Sequence, residues 1–163
     1  MTQHQSTEQT PEHTTGAATE QRVARGLLVR EDGTYEVVTL PAAGTILLRP
    51  RLGADGGVEG IGLDERTEVW VDEDRNKSGE INPVASRLVA AHGFVLYAYR
   101  GPVLFVGGID AHGDTVGMRP EDLDVLVELA DVATADGNLY DCAADDRRFL
   151  EVYRRRAISQ SGA

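Results

Sequence analysis

Two apolar runs flank Asp32-Gly33, with Gly26-Leu27-Leu28-Val29-Arg30 before the pair and residues 34–40 after it. A glycine following an aspartate supplies the positive backbone angle that a tight hairpin turn demands, so the pattern predicts strand, turn, strand. A hairpin cannot stand alone in water. The rest of the chain must therefore provide further strands or helices to cover it. Val69-Trp70-Val71 is the next strand: it is β-branched and aromatic, and its alternation puts Val69 and Val71 on one face and Trp70 on the other. Apolar residues on both faces predict a strand inside the sheet rather than at its edge.

Helix signals come later. Asn82-Pro83 combines a side chain that caps free amides with a proline whose missing N–H costs nothing at the first helical position. Val84, Leu88 and Ala91 follow at helical spacing, and Gly93 ends the segment. Two apolar runs, at 94–99 and 102–106, separated by Arg100-Gly101, are too short for buried helices and are expected to be strands. Residues 109–113 predict a turn and Thr115-Val116 a short return strand. Pro120 then opens a helix with Leu123, Leu126, Val127 and Ala130 on one face. A last helix is expected over residues 145–157, burying Phe149, Val152 and Tyr153. Residues 42–52 stay ambiguous between short helix and strand, because Pro50 limits either. Five glycines from Gly53 to Gly62 punctuate the stretch before Val69-Trp70-Val71, and residues 72–80 predict a polar loop.

These signals predict a single α+β domain over residues 25–158: a mainly antiparallel sheet with two or three helices packed against it. A polar tail at 1–24, too poor in apolar residues to recover the entropy of ordering, is expected to be disordered, and residues 159–163 to fray. With 163 residues the domain can bury a core without staples. The single cysteine, Cys142, excludes an internal disulfide, no run approaches the ~18 apolar residues of a membrane span, and the start lacks the pattern of a secretory signal. A cytoplasmic location is the expectation.

Charge narrows the function classes. A formal net charge of −11 argues against general affinity for nucleic acid or anionic lipid, whose binding depends on neutralising phosphates with lysine and arginine. The imbalance is uneven. Between Ile109 and Asp146 eleven acids face one base, Arg119, and the sign then reverses at Arg147, Arg148, Arg154, Arg155 and Arg156. Three of those acids, Glu121, Asp122 and Asp124, fall in the first turn of the helix at Pro120, where they complement its positive end. With Glu128 they are the expected partner-binding residues, for a protein with a basic surface.

Three patterns suggest other chemistry. Asp72-x-Asp74-x-Asn76-x-Ser78 alternates oxygen side chains as calcium loops do, but Lys77 stands where such a loop turns on glycine and Pro83 where its bidentate glutamate belongs. Asp110-Ala-His112-Gly-Asp114 sets a histidine between two carboxylates, the chemistry of a base or a metal ligand if the loop lines a pocket, and equally the chemistry of a turn. His92, at a helix end, is expected to interact with the negative terminus there. Nucleophile-elbow and phosphate-loop signatures are absent, so no cofactor is expected.

The order of these motifs is similar to a known family. Gly26-Leu-Leu-Val-Arg30 with Asp32-Gly33, Val69-Trp70-Val71-Asp72-Glu73-Asp74, Asn82-Pro83 followed by Ala85, and Val103-Leu-Phe-Val-Gly-Gly108 leading to Gly117-Met118 and a helix together resemble the uncharacterised domain-of-unknown-function family 3846. The resemblance covers residues 25–130. It implies a small protein of bacterial, phage or mobile-element genomes with an accessory or host-interaction role, and it brings no catalytic residues with it. The sequence thus predicts a non-enzymatic protein-interaction module. The alternatives are a metal-dependent binder or hydrolytic enzyme centred on Asp110, His112 and Asp114, and a structural subunit of a homo-oligomer.

Overall fold

A computed structural model describes residues 23–41, 44–93 and 98–135. The expected tail before Val23, the first part of the apolar run at 94–97 and the expected helix at 145–157 lie outside the described residues. Two strands form the predicted hairpin, β1 (Val23–Val29) and β2 (Tyr35–Pro41), paired antiparallel from Val23 opposite Pro41 to Val29 opposite Tyr35. The turn between them closes as Asp-Gly chemistry dictates. Gly33 takes φ 83°, the Gly33 amide donates to the Arg30 carbonyl, and the Asp32 carboxylate accepts from the Thr34 amide and hydroxyl. Those two hydrogen bonds, the hydroxyl's first, hold the Asp32 carboxyl below its usual range. Val23 and Ala24, expected in the tail, belong to β1, where they stand opposite Pro41 and Leu40 of β2.

After the hairpin a 3-10 helix (Thr45–Leu48) runs into α1 (Arg49–Leu52), with Pro50 in its first turn. Then come β3 (Val58–Asp64), β4 (Thr67–Asp72), α2 (Glu73–Ser78), α3 (Pro83–Ala90), β5 (Val103–Val106) and α4 (Pro120–Ala135). The strands make one sheet, ordered β2-β1-β5-β4-β3, with every neighbouring pair antiparallel. The expected α+β architecture is the observed one. β4 lies inside the sheet, as its two-faced sequence requires.

The two faces carry separate cores. Leu27, Val29, Val69, Val71, Val103 and Phe105 meet Val84, Ala85, Leu88 and Val89 of α3 and Leu123, Leu126, Leu129 and Ala133 of α4. On the opposite face Leu28, Val38, Leu40, Trp70, Leu104 and Val106 meet Leu48 and Leu52. A leucine or phenylalanine side chain taken fully out of water contributes about 1.5–3 kcal/mol, so both layers are needed to hold the sheet.

One element was not anticipated and another differs from expectation. The glycine-rich stretch contains the edge strand β3, whose Gly60 stands opposite Trp70. A Cβ at Gly60 would fall 2.7 Å from the Trp70 ring and 2.5 Å from the Glu68 carboxylate, so the missing side chain is the space that the indole occupies. Glycine disfavours strands in general; here it permits one. Gly60→Ala is expected to lower stability by roughly 1–3 kcal/mol through overpacking, read from the urea midpoint followed by fluorescence of Trp70, the sole tryptophan. A loss under about 0.5 kcal/mol, the level of a plain surface substitution, contradicts that account.

The element that differs is α2, where a polar loop was expected. Its six residues have no apolar stripe. They are helical because Asp72 caps them: its Oδ1 accepts from the Asp74 amide at 2.9 Å and the Arg75 amide at 3.1 Å.

Candidate functional site: the acidic face of the last described helix

The sequence places α4 by an apolar inner line, Leu123, Leu126, Leu129, Ala130 and Ala133, all buried on the sheet and α3. Arg87, buried in α3, donates to the Ala133 carbonyl at 3.4 Å and ties the two helices at that end. With the inner line fixed, the outer line follows from the 3.6-residue period. Glu121, Asp124, Glu128 and Asp131 are exposed and recur at steps of three, four and three residues. They form a single row of carboxylates about 15 Å long at 1.5 Å rise per residue.

Asp122 does not belong to that row. Although it was expected among the partner-binding residues, it is 4% exposed, and its Oδ2 accepts a hydrogen bond from Arg119 Nε at 2.9 Å. Its position in the period faces inward, and its charge is matched by the guanidinium just ahead of the helix. The pairing in turn pushes the Arg119 pKa further up. Glu121 lies 3.4 Å from the same guanidinium with its side chain 62% exposed. A contact so open to water contributes little. Like charges three and four residues apart repel by roughly 0.2–0.5 kcal/mol per pair, so the row weakens the helix that carries it.

At the far end of the row the Tyr35 hydroxyl, on β2, donates to Asp131 Oδ1. This hydrogen bond, with some burial, pushes the Tyr35 phenol up to about 12. The folded value stands above the ordinary one near 10, so the pairing contributes fully below about pH 10 and is lost as the pH rises through about 12. A tyrosinate absorbance titration is expected to show a phenol ionising near 12 that Tyr35→Phe removes and Asp131→Asn brings down. A Tyr35 titrating in the ordinary range contradicts the contact.

The loop at Asp110, His112 and Asp114 is built as a turn. Asp110 Oδ1 accepts from the His112 amide at 2.8 Å and the Asp114 amide at 3.0 Å, the Asp110 amide donates to the Asp114 carbonyl, and Ile109 bridges Thr115. The return strand expected at Thr115-Val116 is this isolated bridge. Asp110 and Asp114 border a cavity of about 300 Å³ with Val23 and Val116, while the exposed His112 is not part of its lining. The three side chains are therefore not gathered on one point.

The alternating oxygens from Asp72 to Ser78 are dispersed in the same way, by the helix. Asp72 is spent on the cap, Asn76 Oδ1 accepts from the Arg100 amide at 3.1 Å, and Ser78 Oγ donates to the Asp74 carbonyl. The calcium-loop resemblance does not survive as geometry. Among the described residues no three histidine, cysteine, aspartate or glutamate side chains are grouped to hold a metal. His92, just past α3, sets its Nδ1 3.0 Å from Asp64 Oδ2, joining that helix end to β3.

Two features went unread in the sequence. The Glu68 carboxyl is pushed up by burial, an effect only partly offset by the neighbouring Trp70 indole. Arg100 Nη1 donates to the Gly79 carbonyl at 2.7 Å and closes the end of α2. The first depends on how deeply β4 is buried and the second on a residue 21 positions away, neither of which a local pattern encodes. Among the described residues no helix is long and apolar enough to cross a membrane. No family model, no curated protein and no solved structure matches the chain.

Proposed function

We propose that the protein is a non-enzymatic interaction module whose α4 row, Glu121, Asp124, Glu128 and Asp131, docks on a basic protein surface. The observation that carries this reading is the convergence of four exposed carboxylates on one face of one helix whose opposite face is locked into the core. A rigid helix presenting a row of like charge offers a partner fixed spacing, and electrostatic complementarity of this kind steers association and fixes register. Arg119 lies beside the first member of the row, the Tyr35 hydroxyl donates to the last, and Asp122 supports the start of the helix from beneath.

The test is capture of partners by the purified protein at two ionic strengths. Between about 0.1 M and about 1 M salt the screening length falls from about 10 Å to about 3 Å, so a partner held by this face is retained at the lower value and released at the higher. Partners that remain bound irrespective of salt point to an apolar contact instead and contradict the proposal.

A further inference from the structure

Three arginines from three different elements converge on one open cleft of about 450 Å³: Arg30 from the β1–β2 turn, Arg51 from α1 and Arg75 from α2. Such a volume lies in the range of small-molecule sites. In a chain of net charge −11 this concentration of guanidinium is the reverse of the general field.

The three are not equally committed. Arg30 Nη2 is held by Glu36 across the hairpin. Arg51 Nη2 donates to the Thr39 carbonyl at a long 3.3 Å. Arg75 approaches Glu31 at 3.9 Å and Asp72 at 4.0 Å, close enough for attraction but beyond hydrogen-bond reach, and its side chain is 47% exposed. Its guanidinium donors thus face the cleft without a hydrogen bond. Its stem is nevertheless fixed: a Cβ at Gly101 would lie 2.9 Å from Arg75 Cβ and 3.3 Å from Cδ, so the chain rests directly on the Gly101 backbone. Pro50 and Pro102 border the same cleft and restrict its backbone.

We propose that this cleft binds a small phosphate monoester, with Arg75 and Arg51 as the forked donors and Arg30 as a supporting charge. Guanidinium forks match the paired oxygens of a phosphate, and donors already oriented lose little freedom on binding. Glu31 and Asp32 also line the cleft, so its lining residues carry a net formal charge of +1, and Glu36 and Asp72 stand against Arg30 and Arg75, which disfavours a polyanion. The site is independent of the α4 face.

The test is an NMR titration of the full chain with inorganic phosphate and with phenyl phosphate, following the arginine Nε–H signals. Saturable shifts are expected at Arg51 and Arg75. Arg75→Gln and Arg51→Gln are each expected to weaken binding about tenfold, or about 1.4 kcal/mol, with amide dispersion unchanged. Arg66→Gln, an exposed arginine away from the cleft, is expected to leave it unaltered. Non-saturating shifts, equal loss in Arg66→Gln, undiminished binding in both cleft variants, or acetate binding as tightly as the phosphates would each overturn the proposal. Because the variants lie on separate elements, a folding defect in one leaves the other to decide.

Discussion

Asn82→Ala is expected to remove about 3–5 kcal/mol of stability, a large share of the 5–15 kcal/mol typical of a domain. Asn82 is 0% exposed, and every polar atom of its side chain is used. Oδ1 accepts from the Ala85 amide at 2.9 Å, capping α3, while Nδ2 donates to the Val29 carbonyl at 3.1 Å and the Gly101 carbonyl at 2.9 Å. Its backbone amide donates a hydrogen bond to the Tyr99 carbonyl, and its carbonyl accepts from the Ser86 hydroxyl, which itself accepts from the Tyr99 amide. One residue thereby joins the end of β1, the approach to β5 and the start of α3. Loss of a cap costs about 1 kcal/mol, and each buried group left without a partner about 1–3 kcal/mol.

Asn82→Asp separates the contributions. It keeps the cap acceptor but turns a donor into a second acceptor facing two carbonyls. A buried carboxyl so placed has its pKa raised in the folded state, so stability is retained at pH values below the usual carboxylate range and lost as the pH rises from there through the raised value. Denaturant unfolding is therefore expected to show a loss that grows with pH for Asn82→Asp and one that is flat with pH for Asn82→Ala. A loss under about 1 kcal/mol in both contradicts this assignment.

The second large effect concerns binding. Reversing Glu121, Asp124 and Glu128 to lysine is expected to weaken association with a captured basic partner about a hundredfold or more at about 0.1 M salt, because like charges brought together across an interface cost several kcal/mol. Asp131 is left intact in this variant, since its contact with Tyr35 also anchors α4 to β2. Reversal of Asp55, Glu59 and Glu65, exposed acids around β3, produces the same net charge elsewhere on the molecule. That control is expected to lose less than about threefold, which is under about 1 kcal/mol. Equal losses in the two variants would mean that net charge, not the α4 row, governs binding.

What the sequence made legible was what is local. Asp32-Gly33 and Asn82-Pro83 each carry their instruction within a few residues, and the hairpin and α3 appear where those pairs put them. Val69-Trp70-Val71 announced a two-faced strand by alternation alone. Of the two elements that were missed, one depends on the neighbouring strand and the other on a cap directly before it. β3 exists because Gly60 makes room for an indole on the adjacent strand, and α2 because one capping carboxylate organises six polar residues.

The candidate site divides along the same line. The period of α4 could be read, and with it Glu121, Asp124 and Glu128, while Asp131, which completes the row, was not among the expected residues. The withdrawal of Asp122 could not, since the same first-turn acid can face water or accept from Arg119 depending on how the helix sits on the sheet. The carboxylates of the Asp110 loop looked like ligands because an aspartate that caps its own turn has the same composition as one that binds a metal.

A charge-exchange cycle tests the interaction reading most directly. Once a partner is in hand, its docking lysines or arginines are reversed to glutamate and measured against wild-type α4 and against the Glu121→Lys, Asp124→Lys, Glu128→Lys variant. Complementary reversal is expected to restore most of the lost affinity, with a coupling energy above about 1.5 kcal/mol. A coupling indistinguishable from zero, with both reversals simply adding their losses, would contradict the claim that this row of carboxylates meets the partner's basic surface.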